Sequence, residues 1–205
     1  MMMKNLTKLT LGALTLSFAA AQANAETFNA TAEISNAISL TETTPFSIGT
    51  VFITKADGTI GDNANAGATD AAQINIDALT GAVTTGNGTT DTGDGAVTPL
   101  GGEQVGVLTV TGAAPFADLV ITATTPTAAN DLVHSSANPA IPTINFLALT
   151  AIADDADNGG TLTLDASGNG NILIGGEFGA SDRATFTGTY ADGTYTGTYS
   201  VSVSY

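Results

Sequence analysis

The chain has 205 residues, a formal net charge of −15 and no cysteine. So acidic a chain repels nucleic acid and anionic lipid, which excludes both as partners, and the lack of cysteine excludes a disulfide framework and a thiol nucleophile. Only four residues are lysine or arginine, while threonine, alanine, glycine and asparagine are abundant. Because threonine suits strands and glycine and asparagine suit turns, the composition predicts an all-β protein.

Residues 1–25 have the pattern of a secretory signal peptide. Lys4 and Lys8 form a basic start, which is followed by an apolar stretch and then by alanines suited to a peptidase. The apolar stretch is too short to cross a bilayer, so we expect cleavage before Glu26, export, and no membrane span in the mature chain. The mature chain, 26–205, is expected to form a single β-sandwich domain.

The mature chain begins with a long alternation of apolar and polar residues over 26–41. A row of four apolar side chains shares one face of the predicted strand: Phe28, Ala30, Ala32 and Ile34. Such a terminal strand either pairs within its own sheet or is donated to the open edge of a neighbouring molecule. The pattern leaves both arrangements open.

Further short strands follow at close spacing. They are predicted at 46–54 with a bulge at Gly49, and at 72–79, 103–111, 118–124 and 143–152, the last being apolar enough for a central strand. The stretches 80–102 and 125–142 are predicted to be loops, the second of which holds the chain's one histidine, His134. Together with the termini this gives roughly nine or ten strands and no helix, which indicates an immunoglobulin-like antiparallel sandwich.

Two glycine-containing turns predict hairpins. Segments 161–165 and 171–177 flank the first turn, and they place Leu162, Leu164, Ile172 and Ile174 on one face.

The second hairpin covers 183–205, with Asp192-Gly193 as a two-residue turn that sets Tyr190 opposite Tyr195. Five apolar residues of its second arm share a face: Tyr195, Tyr199, Val201, Val203 and Tyr205.

The sequence offers little for catalysis or metal binding. His134 has no neighbouring partner that would make it a general base, and we interpret it as a solvated loop residue. The acidic stretch 154–160 supplies oxygen ligands close together but lacks the spacing of a calcium loop. We therefore expect no enzyme activity, no cofactor and no metal.

The segments 38–41, 46–50, 172–176 and 193–205 resemble the secreted bacterial family catalogued as domain of unknown function 4402, which is similar in plan to fimbrial subunits of the chaperone–usher type. The resemblance implies an incomplete immunoglobulin-like sandwich that is exported to the periplasm, cell surface or fimbrium of a bacterium.

It further implies a structural or adhesive, pilin-like subunit that assembles by strand exchange with like subunits or with a periplasmic chaperone. The two apolar rows at the chain's ends would then carry assembly. Two other readings are a self-contained secreted β-sandwich that binds a glycan or cell-surface polymer, and a secreted hydrolase.

Overall fold

The computed structural model describes residues 38–54, 72–86, 96–154, 160–181 and 189–205, all of which lie in one unit that spans 35–205. Four predicted features lie wholly or mostly outside the described residues: the signal peptide, the apolar row of the first mature strand, most of the acidic stretch 154–160, and most of the first arm of the last hairpin. The ranges below therefore refer to the described part of the chain.

Antiparallel strands account for nearly all the regular structure, which confirms the all-β sandwich. The thirteen strands are β1 Ser39–Thr44, β2 Ser47–Ile53, β3 Gln73–Ile76, β4 Val83–Gly86, β5 Val97–Gln104, β6 Gly106–Thr111, β7 Asp118–Ala123, β8 Val133–His134, β9 Ile144–Ala153, β10 Thr161–Thr163, β11 Gly170–Ala180, β12 Tyr195–Thr196 and β13 Val201–Ser204. One 3₁₀ turn spans Ala128–Asn130. In the part of the chain that is described, no helix is long and apolar enough to cross a membrane.

The expected number of strands was too low, because short strands lie in stretches that sequence composition assigns to loops. β4 and most of β5 fall within 80–102, and β8 falls within 125–142. Each of these strands is fixed by its partner in a ladder rather than by its own residues. Composition cannot reveal such partners.

Strand β11 forms the centre of the largest sheet. β9 runs along one edge of β11, whereas β6 and β3 share the other edge, β6 beside its first half and β3 beside its second. β1 extends this sheet from β6, and β4 extends it from β3. The segment 143–152, predicted as a central strand, is β9, which lies beside β11; its ladder among the described residues is with β11.

The predicted hairpin over 161–177 is a crossing between two sheets. β10 pairs with β7 in a three-stranded sheet with β13, whereas β11 belongs to the large sheet. The shared face was predicted correctly, since Leu162, Leu164, Ile172 and Ile174 are all at most 2% exposed and pack together. The same alternation of apolar and polar residues is expected whether the two strands face each other from opposed sheets or lie side by side in one sheet.

The last predicted hairpin is also corrected. Among the described residues, Tyr190 lies outside any strand and Tyr195 pairs with His134 of β8. The chain then leaves strand conformation at 197–200 and enters another sheet, where Val201 pairs with Ala123 of β7. The alternation itself holds, because Tyr195, Tyr199, Val201 and Val203 are half-buried while the residues between them are exposed.

Two hydrophobic clusters fill the sandwich, and Phe46 packs against both. The first cluster lies against β2 and β5, and the second lies between the large sheet and the sheet of β7, β10 and β13. Glycines make room for the Phe46 side chain: a Cβ on Gly106 would stand 2.8 Å from the Cβ of Phe46, and one on Gly176 would stand 3.4 Å from its ring.

Candidate functional site

A groove of about 650 Å³ opens beside strand β2, and we call it the β2 groove. One wall is the whole of β2 together with Phe46. The opposite wall is formed by residues 190–197, here called the tyrosine wall, with Tyr199 beyond it. Leu132, Ile144, Phe146 and Phe178 complete the lining.

The floor of the groove is an aromatic cluster. The rings of Phe146 and Phe178 stack with centroids 4.4 Å apart, and Phe46 lies 5.7 Å from Phe178 and 6.5 Å from Phe146. Tyr199 meets Phe46 edge-on at 6.3 Å. Offset and edge-on pairs of this kind stabilise beyond their buried area, so the floor is a firm apolar surface.

Every residue of strand β2 lines the groove. Its ladder among the described residues is with β5 alone, and β5 contributes no residue to the described lining. Strand β12 likewise lines the groove, whereas its ladder partner β8 contributes no residue to the described lining. Each strand thus turns toward the groove a side that its ladder partner does not cover.

Gly49 brings the backbone of β2 close to that of β5. Gly49 has φ +71°, and a Cβ there would stand 2.5 Å from the amide nitrogen of Glu103. The β2–β5 register shifts between Thr50 and Val51. Thr50 pairs with Gly101 and Val51 with Pro99, so the extra residue is Leu100 of β5 and the predicted bulge at Gly49 of β2 is wrong.

The tyrosine hydroxyls are engaged within the protein. Tyr190 accepts a hydrogen bond from the amide of Ser181 at 2.7 Å and donates to the carbonyl of Thr143 at 3.0 Å. Tyr195 bonds both backbone groups of Ala191, at 3.2 and 3.1 Å. The groove therefore receives mainly the apolar faces of these rings.

Tyr199 bonds outside the groove. Its hydroxyl donates to Oε1 of Glu42 at 2.8 Å. Burial raises the pKa of Tyr199 above its ordinary value, and the carboxylate of Glu42 raises it further. Burial likewise raises the pKa of Tyr195. Both phenols consequently stay neutral well into alkaline solution.

Among the described lining residues, Asp192 is the one charged side chain. Asp131 lies just behind the groove, where its Oδ1 accepts from the amide of Phe146 at 2.9 Å and where burial raises its pKa. The described residues contain no group of three side chains that could hold a metal ion. The groove thus carries little charge, and its aromatic floor is accompanied by hydroxyl groups of Ser47, Thr50, Thr194 and Thr196.

The structure separates the residues that the sequence proposed for assembly. Tyr195 and Tyr199 line the groove, whereas Val201 and Val203 pack on the second cluster. Tyr205 is 56% exposed, and its hydroxyl accepts from the amide of Ala114 at 3.0 Å. The other proposed residues, Phe28, Ala30, Ala32 and Ile34, lie outside the described residues.

Sequence reasoning missed most of the groove. Phe46, Phe146 and Phe178 come from three distant segments, and no local pattern signals that they meet. It also misjudged His134, which is half-buried in β8 and hydrogen-bonded rather than solvated in a loop. The alternation of Tyr195 and Tyr199 was the one available signal, and it identified part of a wall.

The chain was compared with protein-family models, with curated proteins and with solved structures, and no match was found in any of the three comparisons.

Proposed function

We propose that the protein is an exported structural or adhesive subunit of a bacterial surface, pilin-like in plan, that assembles by β-strand exchange, and that the β2 groove accepts the donated strand. The observation that carries the proposal is that all of β2 lines the groove, while β5, its ladder partner among the described residues, does not. An added strand gains main-chain hydrogen bonds from such an edge and specificity from pockets for alternate side chains.

The chemistry of the groove fits an apolar strand. Its floor is phenylalanine, its tyrosine hydroxyls bond within the protein, and its described lining carries a single carboxylate, that of Asp192. The N-terminal row of the mature chain offers matching side chains: Phe28, Ala30, Ala32 and Ile34. Burial of the two large members contributes about 1.5–3 kcal/mol each.

The position of β1 favours donation to another copy. Ile38, the first described residue, packs on the second cluster. Strand β1 follows with six residues and leads to Pro45 and the groove. Ile38 thus lies about 20 Å, one strand length, from the start of the groove wall. The exchange that we propose is head-to-tail insertion into the groove of a like subunit, or capture by a periplasmic chaperone.

A pair of charge insertions tests the exchange. Ala32→Asp places a carboxylate in the apolar row, whereas Thr31→Asp places the same charge on the opposite face of the predicted strand. We expect the purified mature protein and Thr31→Asp to form concentration-dependent oligomers in sedimentation velocity, and Ala32→Asp to remain monomeric. Equal behaviour of the two variants would contradict insertion of this row.

A second candidate is a self-contained secreted domain that binds a glycan or cell-surface polymer. It is favoured by the tyrosine rings that line the groove, because sugars stack on aromatic faces. It is disfavoured by the internal bonds of the hydroxyls of Tyr190 and Tyr195, which leave few polar groups for sugar hydroxyls. This candidate would be favoured if the wild-type protein were monomeric and bound a polysaccharide, and if Tyr195→Ala abolished that binding. Neither proposal assigns a catalytic role to any residue.

A further inference from the structure

His134 contacts the tyrosine wall from outside the β2 groove. Its Nε2 lies 3.2 Å from the carbonyl oxygen of Asp192, and its ring meets that of Tyr195 edge-on with centroids 5.1 Å apart. A Cβ on Gly193 would stand 2.2 Å from Nε2. The ring therefore occupies space that any residue other than glycine would need.

Among the described residues, few backbone hydrogen bonds attach the middle of this wall. The ladder between β8 and β12 has two residue pairs, Tyr195 with His134 and Thr196 with Val133. One more hydrogen bond, from the amide of Ser135 to the carbonyl of Thr194 at 2.8 Å, extends it. With so short a ladder, a side chain that bonds to Asp192 makes a large share of the attachment.

Backbone groups on both sides select one tautomer of the ring. The amide of Ser136 can only donate, and it does so to Nδ1 at 3.2 Å. The carbonyl of Asp192 can only accept, so the hydrogen must reside on Nε2. The hydroxyl of Ser136, 2.8 Å from Nδ1, is compatible with this assignment because it can donate.

We propose that His134, as its Nε2–H tautomer, is the positioning residue that sets the distance of the tyrosine wall from β2 and thereby the width of the groove. The imidazole does not line the groove; it acts through Asp192 and Tyr195. The proposal rests on the proposed function for what the groove accepts, but the positioning of the wall can be measured without any occupant.

The test uses the full mature chain and three variants. His134→Ala removes the ring, His134→Gln keeps an N–H donor near the position of Nε2, and Ser136→Ala removes the hydroxyl alone. The wall is read by amide hydrogen exchange at Ala191 and Ser135, whose amides bond to Tyr195 and Thr194. The tautomer is read from the ¹⁵N resonances of the wild-type imidazole.

We expect His134→Ala to speed exchange at both amides by about tenfold or more, as a local opening does. His134→Gln should restore most of the protection and Ser136→Ala should change it little. Gly193→Ala should resemble His134→Ala, and its effect should shrink when both changes are combined, because the ring it displaces is then gone. Unchanged exchange in His134→Ala, or an Nδ1–H tautomer in the wild type, would overturn the proposal.

Oligomer formation then links the wall to the groove. We expect the variants with fast exchange to associate about tenfold more weakly than the wild type, which corresponds to a loss of about 1.4 kcal/mol of association free energy. Fast exchange with unaltered association would overturn the assignment of groove width to His134. A monomeric wild type would instead contradict strand exchange, and the exchange data would still decide whether His134 holds the wall.

Discussion

Replacement of Phe46 by alanine is expected to be among the most damaging single changes in the described fold. The side chain packs against both hydrophobic clusters and against the rings of Phe146, Phe178 and Tyr199. Truncation of a buried phenylalanine costs about 3–5 kcal/mol. Because Phe46 is half-buried and borders the groove, the lower end applies, about 3 kcal/mol.

Phe52, in the strand that follows Phe46, provides a matched control. It also borders the groove but is 58% exposed, so Phe52→Ala should cost about 0.5 kcal/mol. Urea unfolding followed by near-ultraviolet circular dichroism measures both. With an m-value of about 2 kcal/mol/M, Phe46→Ala should lower the midpoint by about 1.5 M and Phe52→Ala by about 0.25 M. Equal shifts would refute the view that Phe46 joins the two clusters.

Three further predictions concern a glycine, a tyrosine and processing. Gly176→Ala should destabilise the protein by about 2 kcal/mol or more, because its Cβ would stand 2.6 Å from the carbonyl oxygen of Ala148; Gly160→Ala, which meets nothing within 4 Å, should be nearly neutral in the same urea assay. Tyr199→Phe should cost about 1 kcal/mol at pH 7. Since the fold raises the pKa of Tyr199, its contribution is complete below the unfolded value and is lost at higher pH, so the difference in urea midpoint from the wild type should shrink above about pH 10. Intact mass of exported protein should correspond to a chain that begins at Glu26, and retention of residues 1–25 would contradict cleavage.

The sequence specified which side chains face inward better than which strands pair. Apolar alternation places Ile172 and Ile174 on one face whether the neighbouring segment lies in the same sheet or in the opposed one, because the period of two is the same. Pairing depends on partners far away in the chain, such as β6 and β3 for β11. The prediction of a hairpin over 161–177 failed for that reason.

The last strand changed sheets where a glycine permits it. A Cβ on Gly197 would stand 2.4 Å from the carbonyl oxygen of Asn130, and the side chain of Asn130 donates to the carbonyl of Thr198 at 2.9 Å. These contacts interrupt the strand between Thr196 and Val201. The sequence alone does not distinguish Gly197 from the other residues of the alternation, because the loop that it contacts is distant in the chain.

The groove was the least predictable feature, because its wall and floor come from segments that are remote in sequence. β2 ends at Ile53, Phe146 lies in β9, Phe178 lies in β11, and the tyrosine wall is 190–197. Only the alternation of Tyr195 and Tyr199 carried information about the site. His134 gave no signal, since its partner is a backbone carbonyl, which every residue has.

The central claim is that the β2 groove accepts the strand formed by residues 26–35. The most direct measurement is the thermal melt of a protein that lacks these residues, with and without a synthetic peptide of that segment. The account predicts a low, poorly cooperative melt for the truncated protein alone and a cooperative melt when the peptide is added, but no rescue by a peptide that carries Ala32→Asp. A truncated protein that melts as cooperatively as the full mature chain, together with a full chain that stays monomeric at high concentration, would contradict it.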